Sequence, residues 1–169
     1  MTLFLERGYA EVTVADIAEQ AGLTKRSFFN HFVDKREVLF AHAEEFQRTV
    51  TDRLAEIDPD TGPLDAALAA LTHGGLRLAG YGASTAGRRD LIDSSTELQE
   101  RNLIKIASLT RGLSDGLVAR AVPRRTATIT AQAAITVFDT AYHDLLDEPA
   151  ADLAALVSRA LDELRAATK

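Results

Sequence analysis

Residues 13–32 read TVADIAEQAGLTKRSFFNHF, and this stretch predicts two short helices joined by a tight turn. Thr13 can cap the first helix with its hydroxyl, and Thr24 can cap the second in the same way. Gly22 lies between the two helices and is suited to a left-handed turn, because it has no side chain to clash there. The apolar face of the first helix is formed by Val14, Ile17 and Ala18.

The second predicted helix has one apolar side and one polar side. Phe28 and Phe32 lie one turn apart and are expected to pack onto the first helix. The polar side carries donors for phosphates and base edges, namely Lys25, Arg26, Ser27, Asn30 and His31. Such a pair is typical of a helix-turn-helix, whose second helix enters the major groove of DNA. Since any helical bundle can contain two amphipathic helices around a glycine, the spacing alone also allows a purely structural interpretation.

The first forty residues resemble the N-terminal signature of the tetracycline-repressor (TetR) family at many positions. The matching residues are Gly8-Tyr9, Val12-Thr13-Val14, Asp16-Ile17-Ala18, Ala21-Gly22-Leu23-Thr24, Phe28-Phe29-Asn30-His31-Phe32, Asp34-Lys35 and Leu39. One departure is Phe29, where the family usually has a tyrosine whose hydroxyl reaches a phosphate. A second departure is at residues 1–7, which correspond only to the last turns of the family's first helix. We therefore expect a truncated first helix.

The resemblance implies an all-α protein with a three-helix, helix-turn-helix head and a helical body. We expect residues 1–40 to form the DNA-binding domain and residues 41–169 to form the ligand-binding and dimerisation domain. We expect the major groove to be contacted by Lys25, Arg26, Ser27, Asn30 and His31. The phosphates would be contacted by Thr13, Thr24 and Lys35, and Phe29 would also lie at the DNA surface. The partner would be a palindromic double-stranded operator, bound by a homodimer.

The net charge of −6 argues against a nucleic-acid partner, but the charge is unevenly distributed. Residues 1–36 hold five cations and five acids, so the excess of acids lies entirely in the rest of the chain. Residues 22–36 contain four cations and a single acid. A modest basic patch is therefore expected on the second helix of the head and just after it.

The chain shows none of the usual signs of an enzyme, a metalloprotein or a membrane protein. It has no cysteine, and no apolar run approaches the roughly 20 residues that span a bilayer, so we expect a cytoplasmic protein. None of its four histidines, which are His31, His42, His73 and His143, stands in a catalytic or metal-binding spacing. No Gly-x-Ser-x-Gly elbow, phosphate loop or dinucleotide fingerprint occurs. We expect no catalysis, no metal and no cofactor.

Helical periodicity continues beyond the head. A long bridging helix is expected from Asp34 to Ile57, followed by a proline-containing linker at residues 58–63. The next helix contains Gly74 and Gly75, which predict a kink, close packing or local unwinding. It is expected to end at Gly80, Tyr81, Gly82 and Ser84.

The last two predicted helices, residues 123–146 and 149–167, combine small residues with a wide apolar face. We expect each subunit of a dimer to give these two helices to a four-helix bundle, an arrangement that the family resemblance supports. The alternative is that both helices close the core of one chain. The expected interface residues are Ala127, Thr130, Ala131, Ala134, Phe138, Leu153, Leu156, Val157, Ala160 and Leu164.

The body is also expected to hold a pocket for a small-molecule effector. Arg101 and Lys105, one turn apart, could receive an anionic group, or Arg101 could instead pair with Glu97. The candidate pocket residues are Phe46, Leu68, His73, Tyr81, Arg101, Asn102, Lys105, Phe138 and Tyr142. A looser pattern resembles a TetR branch associated with acyl-CoA-like ligands, and comprises Arg88-Arg89-Asp90-Leu91-Ile92, Glu97-Leu98, Arg101, Leu113, Leu117 and Arg120.

These patterns favour a ligand-responsive transcriptional regulator, most simply a repressor that a small apolar or acyl-type effector releases from its operator. One alternative is a ligand-binding helical bundle that no longer binds DNA, which the truncated first helix and Phe29 both allow. The other alternative is an enzyme, which would need turnover by His73 or His143.

Overall fold

The computed structural model of the chain describes residues 1–79, 87–148 and 150–168. These residues form helices and no strand, which confirms the predicted all-α class. The helices are α1 (Thr2–Arg7), α2 (Val14–Gln20), α3 (Lys25–His31), α4 (Arg36–Leu39), α5 (Ala43–Glu56), α6 (Pro63–Ala79), α7 (Arg88–Asp93), α8 (Thr96–Ala119), α9 (Arg124–Asp147) and α10 (Leu153–Ala167). The candidate ligand residue Tyr81 and the expected helix end at residues 80–84 lie outside the described residues.

The chain divides into two compact units by the contacts among its residues. The head unit comprises Met1–Ala43 and Gly82–Lys105, and the body unit comprises Glu44–Tyr81 and Ile106–Lys169. Helix α8 therefore gives residues 96–105 to the head unit and residues 106–119 to the body unit. The functional division at residue 40 stays a prediction, whereas the place of α7 and the start of α8 in the head unit was not predicted.

The head unit is built around a core of aromatic and branched side chains. Its buried members are Phe4, Tyr9, Val12, Leu39, Phe40, Leu91, Ile92 and Leu98. Three of these eight come from α7 and α8, so residues 1–40 do not complete this core by themselves. Burying a leucine or isoleucine side chain stabilises a fold by about 1.5–3 kcal/mol. Helix α7 and the first turns of α8 are therefore part of what keeps the head folded.

The predicted single helix over residues 34–57 is wrong, because the chain forms α4 and α5 with a turn at residues 40–42. Phe40 is buried in the head core, and the Arg88 guanidinium lies 5.0 Å from its ring centre. Arg88 also donates from Nε to the carbonyl oxygen of Leu39 at 3.3 Å. In a continuous helix that carbonyl would accept from Ala43, whose amide instead donates to Phe40 at 2.9 Å. The packing of Phe40 and Arg88 thus ends α4.

Helix α6 runs through its two adjacent glycines without a break, and close packing is the reason for them. A Cβ atom on Gly75 would lie 2.8 Å from the ring of Phe138 and 2.9 Å from Leu153. A Cβ atom on Gly74 would lie 2.8 Å from Val50. Both glycines are buried, so α6 lets the side chains of α5, α9 and α10 approach its backbone directly. Of the three outcomes expected for this pair, the structure shows close packing.

The body unit has its core between α6, α9 and α10, and most of the predicted dimer-interface residues lie in it. The buried ones are Ala127, Ala131, Ala134, Phe138, Leu153, Leu156, Val157 and Ala160. Their side chains are covered by other residues of the same chain, as expected if α9 and α10 close the core of one chain. Thr130 and Leu164 are half-buried. These eight residues therefore offer little surface to a second copy. Dimerisation itself stays a prediction, and it would use exposed positions such as Ile129, which is 58% exposed on α9.

The last helix begins later than predicted, at Leu153. The carboxylate of Asp152 accepts the amide hydrogen of Ala154 at 3.0 Å, so Asp152 caps α10 and sets its first residue. Asp152 follows the predicted start at Pro149, which lies outside the described residues.

Arg120 holds the end of α5 and the linker that follows it. Its guanidinium donates to the carbonyl oxygens of Leu54 at 3.2 Å, Ile57 at 2.6 Å and Asp58 at 2.7 Å. These carbonyls lie at the end of a helix, where the backbone provides no further donors. Arg120, which belongs to the pattern similar to the acyl-CoA-type branch, therefore has a structural role in this chain.

Within the described ranges, no helix is both long enough and apolar enough to cross a membrane.

The glycine packing in the body unit predicts opposite effects for two alanine substitutions. Gly75→Ala should lower the free energy of unfolding by about 1–3 kcal/mol, because the new methyl group overlaps Phe138 and Leu153. Gly112→Ala in α8 is the matched control, since its Cβ would come closest to the flexible amide of Gln47, at 3.1 Å, and would otherwise make an ordinary contact with Thr51 at 3.5 Å. It should leave stability unchanged or raise it by up to about 1 kcal/mol through better helix propensity. Urea denaturation would measure both, and equal stabilities for the two variants would contradict the packing account.

Candidate nucleic-acid interface

Helix α2 starts where the sequence predicts, at a capping box formed by Thr13 and Asp16. The hydroxyl oxygen of Thr13 accepts the amide hydrogen of Asp16 at 3.3 Å. In return the Asp16 carboxylate accepts from the Thr13 amide at 2.8 Å and from the Thr13 hydroxyl at 2.5 Å. These hydrogen bonds from Thr13 lower the pKa of Asp16. The reciprocal bonds satisfy backbone donors that a helix N-terminus otherwise leaves unpaired.

The turn between α2 and α3 also follows the sequence prediction. Gly22 has a φ of 66°, in the left-handed region that favours glycine. The amide of Leu23 donates back to the carbonyl oxygen of Ala18 at 2.8 Å, which closes the end of α2. The hydroxyl of Thr24 then accepts the amide hydrogen of Ser27 at 3.1 Å and caps α3. Both caps and the glycine turn are confirmed.

Phe28 fixes the second helix against the first. It is 3% exposed, and its ring centre lies 5.3 Å from that of Phe32. Phe29 meets the Phe28 ring edge-on, with centres 5.4 Å apart and an interplanar angle of 89°. On α2, the small side chain of Ala18 is buried where the two helices pack. Because Phe28 points inward, the opposite side of α3 must point to solvent.

That outer side carries the residues that the sequence predicts to read DNA. Lys25, Arg26, Asn30 and His31 are exposed, and Ser27 is half-buried. Among the residues that the structure describes, neither Lys25 nor Arg26 makes an ion pair, so both charges remain available. Helix α3 thus presents two cations and several hydrogen-bonding side chains together on one short surface.

Phe29 is the one large apolar side chain of α3 that lies in solvent, with 56% exposure. Its ring has no hydroxyl, so it offers DNA an apolar contact and no hydrogen bond. The expected loss of a phosphate contact relative to the family's usual tyrosine is therefore retained as a prediction.

Lys35 is placed differently from the other predicted DNA residues. Its ammonium group donates to the carbonyl oxygens of Tyr9 at 2.9 Å and Val12 at 3.0 Å. It also lies 4.2 Å from the centre of the Tyr9 ring. These partners belong to the turn between α1 and α2, inside the head unit. The structure therefore separates Lys35 from the exposed face of α3, and its predicted phosphate contact stays untested.

Arg101 and Lys105, predicted to receive an anionic ligand group, instead bind a carboxylate of the head unit. Glu37 accepts from Arg101 Nε at 2.5 Å and from Lys105 Nζ at 3.1 Å. Burial raises the pKa of Glu37, but the hydrogen bonds from Arg101 and Lys105 outweigh burial, and the net pKa is lowered. Both cations thus share one carboxylate of the chain, and the anion-receiving role predicted for them stays a prediction.

A second ion pair joins the same two helices. Glu97 on α8 pairs with Arg36 on α4 at 3.2 Å, so it does not form the alternative pair with Arg101. Arg36 also binds Asp34, whose carboxylate accepts the Arg36 amide hydrogen at 2.8 Å; the N-cap residue of α4 is Lys35, one residue after the predicted cap at Asp34. Tyr9 donates to Glu97 at 3.4 Å, and burial together with this carboxylate raises the pKa of Tyr9 to about 12. The helix that follows α3 is therefore held by α8.

The structure brings only some of the predicted ligand residues together. Phe46, Phe138 and Tyr142 stack in the body unit, with ring centres 5.9 Å apart for the first pair and 5.5 Å for the second. Leu68 is buried in the same core. The remaining polar candidates, Arg101, Asn102 and Lys105, belong to the head unit. The predicted set therefore contains an aromatic group and a separate polar group.

His73 lies apart from the aromatic group, on an open groove between α5 and α6. The groove has a volume of about 430 Å³, and its lining residues carry both signs of charge. They are Glu45, Arg48, Thr49, Asp52, Arg53, Glu56, His73 and Arg77. In the described part of the chain, no three acidic or histidine side chains come together as a metal site would require. The groove differs from the apolar pocket that the sequence predicts.

Comparison with known proteins supports the interpretation of the N-terminal residues. Residues 1–42 match the family model described as bacterial regulatory proteins, tetR family, which confirms the predicted resemblance. A stretch of 58 residues is 40% identical to the HTH-type transcriptional repressor DhaR of Mycobacterium sp. (strain GP1). That match covers 32% of this chain and 29% of the length of DhaR. The family is one of regulatory proteins and not of enzymes.

A likeness of fold extends over nearly the whole chain. The crystal structure of a transcriptional regulator (TerR/AcrR family) from Aquifex aeolicus VF5 superposes with a TM-score of 0.52, over 97% of this chain and 92% of that one. Sequence identity is 21%, so this likeness concerns the fold alone. The predicted architecture, a helix-turn-helix head with a helical body, is confirmed.

The Glu37 cluster predicts a pH-dependent contribution to stability. Glu37→Gln should lower the free energy of unfolding at pH 7 by about 1–2 kcal/mol, because two charge-assisted hydrogen bonds lose their acceptor charge. Since the folded-state pKa of Glu37 lies below its ordinary value of 4.5, the contribution is present above that value. It is lost as the pH falls through the lower folded-state pKa.

The measurement is urea denaturation of both proteins between pH 3 and pH 7. The difference between wild type and Glu37→Gln should shrink as the solution becomes acidic. Glu56→Gln is the control, because Glu56 pairs with Arg53 on the exposed surface of α5, where ion pairs contribute little. A difference between wild type and Glu37→Gln that stays constant with pH would contradict the role assigned to the carboxylate.

Proposed function

We propose that this chain, whose residues 1–42 carry the N-terminal domain of the tetR family of bacterial regulatory proteins, is a DNA-binding transcriptional repressor acting on a palindromic operator. The observation that carries the proposal is the outer face of α3, on which Lys25 and Arg26 stand exposed without an ion pair among the described residues. Two caps, a glycine turn and the buried ring of Phe28 hold this face in position. It is the arrangement that a major-groove reading helix needs.

In this proposal Lys25, Arg26, Asn30 and His31 lie in the major groove, with Ser27 beside them. Base edges are read by hydrogen bonds, and the two cations additionally neutralise nearby phosphates. Thr13 and Thr24 stand at the starts of α2 and α3, where a hydroxyl that caps a helix can also meet a phosphate. Phe29 adds an apolar contact from the same face.

A homodimer is part of the proposal, because a palindrome presents two half-sites about 34 Å apart. The residues first expected at the interface are mostly buried within one chain, so the contact would use the solvent-facing sides of α9 and α10. Ile129 is the large apolar side chain available there. Sedimentation equilibrium should then give a mass of twice 18.3 kDa, and a strictly monomeric protein would contradict this part of the proposal.

The effector is proposed to be a small molecule with an apolar or acyl-type body. The support is the aromatic stack of Phe46, Phe138 and Tyr142, which packs beside the glycines of α6. Stacked rings can separate around an apolar guest, which then replaces one set of apolar contacts by another. The charged groups of an acyl-CoA-like ligand find less support, since Arg101 and Lys105 are already bound to Glu37.

An effector acts by binding one state of the body unit better than another. In this proposal the effect of the ligand passes from the body to the head along the backbone of α8. Its residues 96–105 belong to the head unit and its residues 106–119 to the body unit. Its Arg101 and Lys105 hold Glu37 on α4, the helix that follows α3 in the chain. A change in the body that shifts α8 would therefore reach the helix next to the DNA-reading one.

The experiment that tests DNA binding starts from duplexes selected out of a random-sequence pool by the intact protein. The double variant Lys25→Ala with Arg26→Ala should bind the selected site at least about 1,000-fold more weakly, since it removes two contacts from each subunit of the dimer and each contact costs about 1–3 kcal/mol. The control is Arg77→Ala with Arg111→Ala, two exposed cations of the body unit on α6 and α8 that make no ion pair among the described residues. It should bind like wild type, and both variants should keep the wild-type sedimentation behaviour.

Two results would count against the proposal in different ways. Unchanged binding by the Lys25 and Arg26 variant would refute the assigned face. Failure of the unaltered protein to select any duplex, even at low salt, would favour the alternative of a ligand-binding bundle without DNA binding. True operator binding should also weaken steeply as the salt concentration rises.

A further inference from the structure

We infer that Lys35 is a positioning residue, which holds the two DNA-reading helices from inside the head unit and makes no phosphate contact. The inference rests on the proposed DNA-binding function. It departs from the phosphate role that the family resemblance implies for this lysine. The evidence is the arrangement of acceptors around a single ammonium group.

The ammonium of Lys35 has its donors occupied. A lysine side chain carries three N–H donors and no acceptor. In this chain Nζ lies 2.9 Å from the carbonyl oxygen of Tyr9, 3.0 Å from that of Val12 and 3.5 Å from that of Ala10. The Tyr9 ring adds a fourth contact, with its centre 4.2 Å away. A phosphate could bind this ammonium only by displacing one of these partners.

The acceptors are ones that the backbone leaves unsatisfied. Tyr9, Ala10 and Val12 lie in the turn between α1 and α2, where their carbonyl groups have no place in a helical ladder. Val12 and Tyr9 are buried, so their carbonyl oxygens have limited access to water. Buried carbonyls without a donor are costly. Lys35 supplies that donor from 23 to 26 residues further along the chain.

The position of Lys35 makes this contact relevant to DNA reading. Lys35 follows α3 in the chain, and the turn that it binds precedes α2. One side chain therefore ties together the two ends of the helix-turn-helix. Because α3 has only seven residues, its orientation depends on such supports at its ends. Loss of the ammonium should let α3 adopt a wider range of orientations and so weaken its fit to the groove.

Lys25 provides the contrast that makes the inference testable. It is exposed on the outer face of α3 and makes no ion pair among the described residues. Its proposed role is to meet DNA directly. The two lysines therefore differ in a quantity that salt titration measures, which is the number of phosphates each one neutralises.

The experiment measures the affinity for the selected duplex at a series of salt concentrations, for wild type, Lys35→Met and Lys25→Met. Each phosphate neutralised contributes about 0.9 to the slope of log affinity against log salt. Lys25→Met should lower the slope by roughly 1 per subunit. Lys35→Met should weaken binding about 10-fold at every salt concentration while keeping the wild-type slope. Circular dichroism at the assay temperature verifies that each variant is folded.

A charge-conserving variant gives an independent answer. Lys35→Arg keeps the positive charge, but the planar guanidinium does not reproduce the ammonium's place among three carbonyls. It should weaken binding several-fold, whereas a lysine that only met a phosphate would tolerate arginine, which serves such a contact well. If Lys35→Met does not fold, Lys35→Arg decides the question alone.

Three outcomes would overturn the inference. They are a slope for Lys35→Met reduced as far as that of Lys25→Met, wild-type binding by Lys35→Arg, and a lower melting temperature with unchanged affinity of the folded protein. The last outcome would mean a merely structural lysine. If the unaltered protein binds no duplex, the proposed function fails first, and the inference about DNA reading fails with it.

Discussion

The burial of Phe28 is the contact on which the candidate site depends. Helix α3 has seven residues, and an isolated helix of that length is not stable in water. Its geometry therefore comes from outside: the Thr24 cap at its start, the Phe28 ring packed beside α2, and the glycine turn that sets the approach of the two helices. Because Phe28 fixes the rotation of α3, the same contact decides which side chains face solvent. The exposure of Lys25 and Arg26 is a consequence of where Phe28 lies.

The head is supported by residues far along the chain. Leu91, Ile92 and Leu98 fill its core, and the cations at 101 and 105 neutralise Glu37 on α4. The helix-turn-helix in the first forty residues therefore has part of its core, and the partners of one of its carboxylates, in α7 and α8, which begin more than forty residues later in the chain. Among the described helices, α8 gives long segments to both units, with residues 96–105 in the head unit and residues 106–119 in the body unit.

Local features were predicted from the sequence more successfully than distant ones, for a physical reason. The caps at Thr13 and Thr24 and the turn at Gly22 depend on neighbouring residues, and all three are present. The sequence could not show that Arg88 would take the carbonyl of Leu39 and break the long helix, because its partner lies 49 residues away. The same holds for Lys35, whose acceptors are backbone atoms without a sequence signature. Small residues in α9 and α10 indicate close packing, but not whether the neighbour is the same chain or a second copy.

The distribution of cations gives a reason for two copies to act together. Residues 22–36 hold four cations, but Lys35 is bound to the α1–α2 turn and Arg36 to Asp34 and Glu97. Among the residues that the structure describes, only Lys25 and Arg26 in that stretch then remain without such partners. Two phosphate contacts give little affinity at physiological salt, particularly in a chain of net charge −6. Joining two such heads makes the second binding event intramolecular and raises the affinity far above that of one head. The few available cations therefore favour a dimeric protein, independently of where its interface lies.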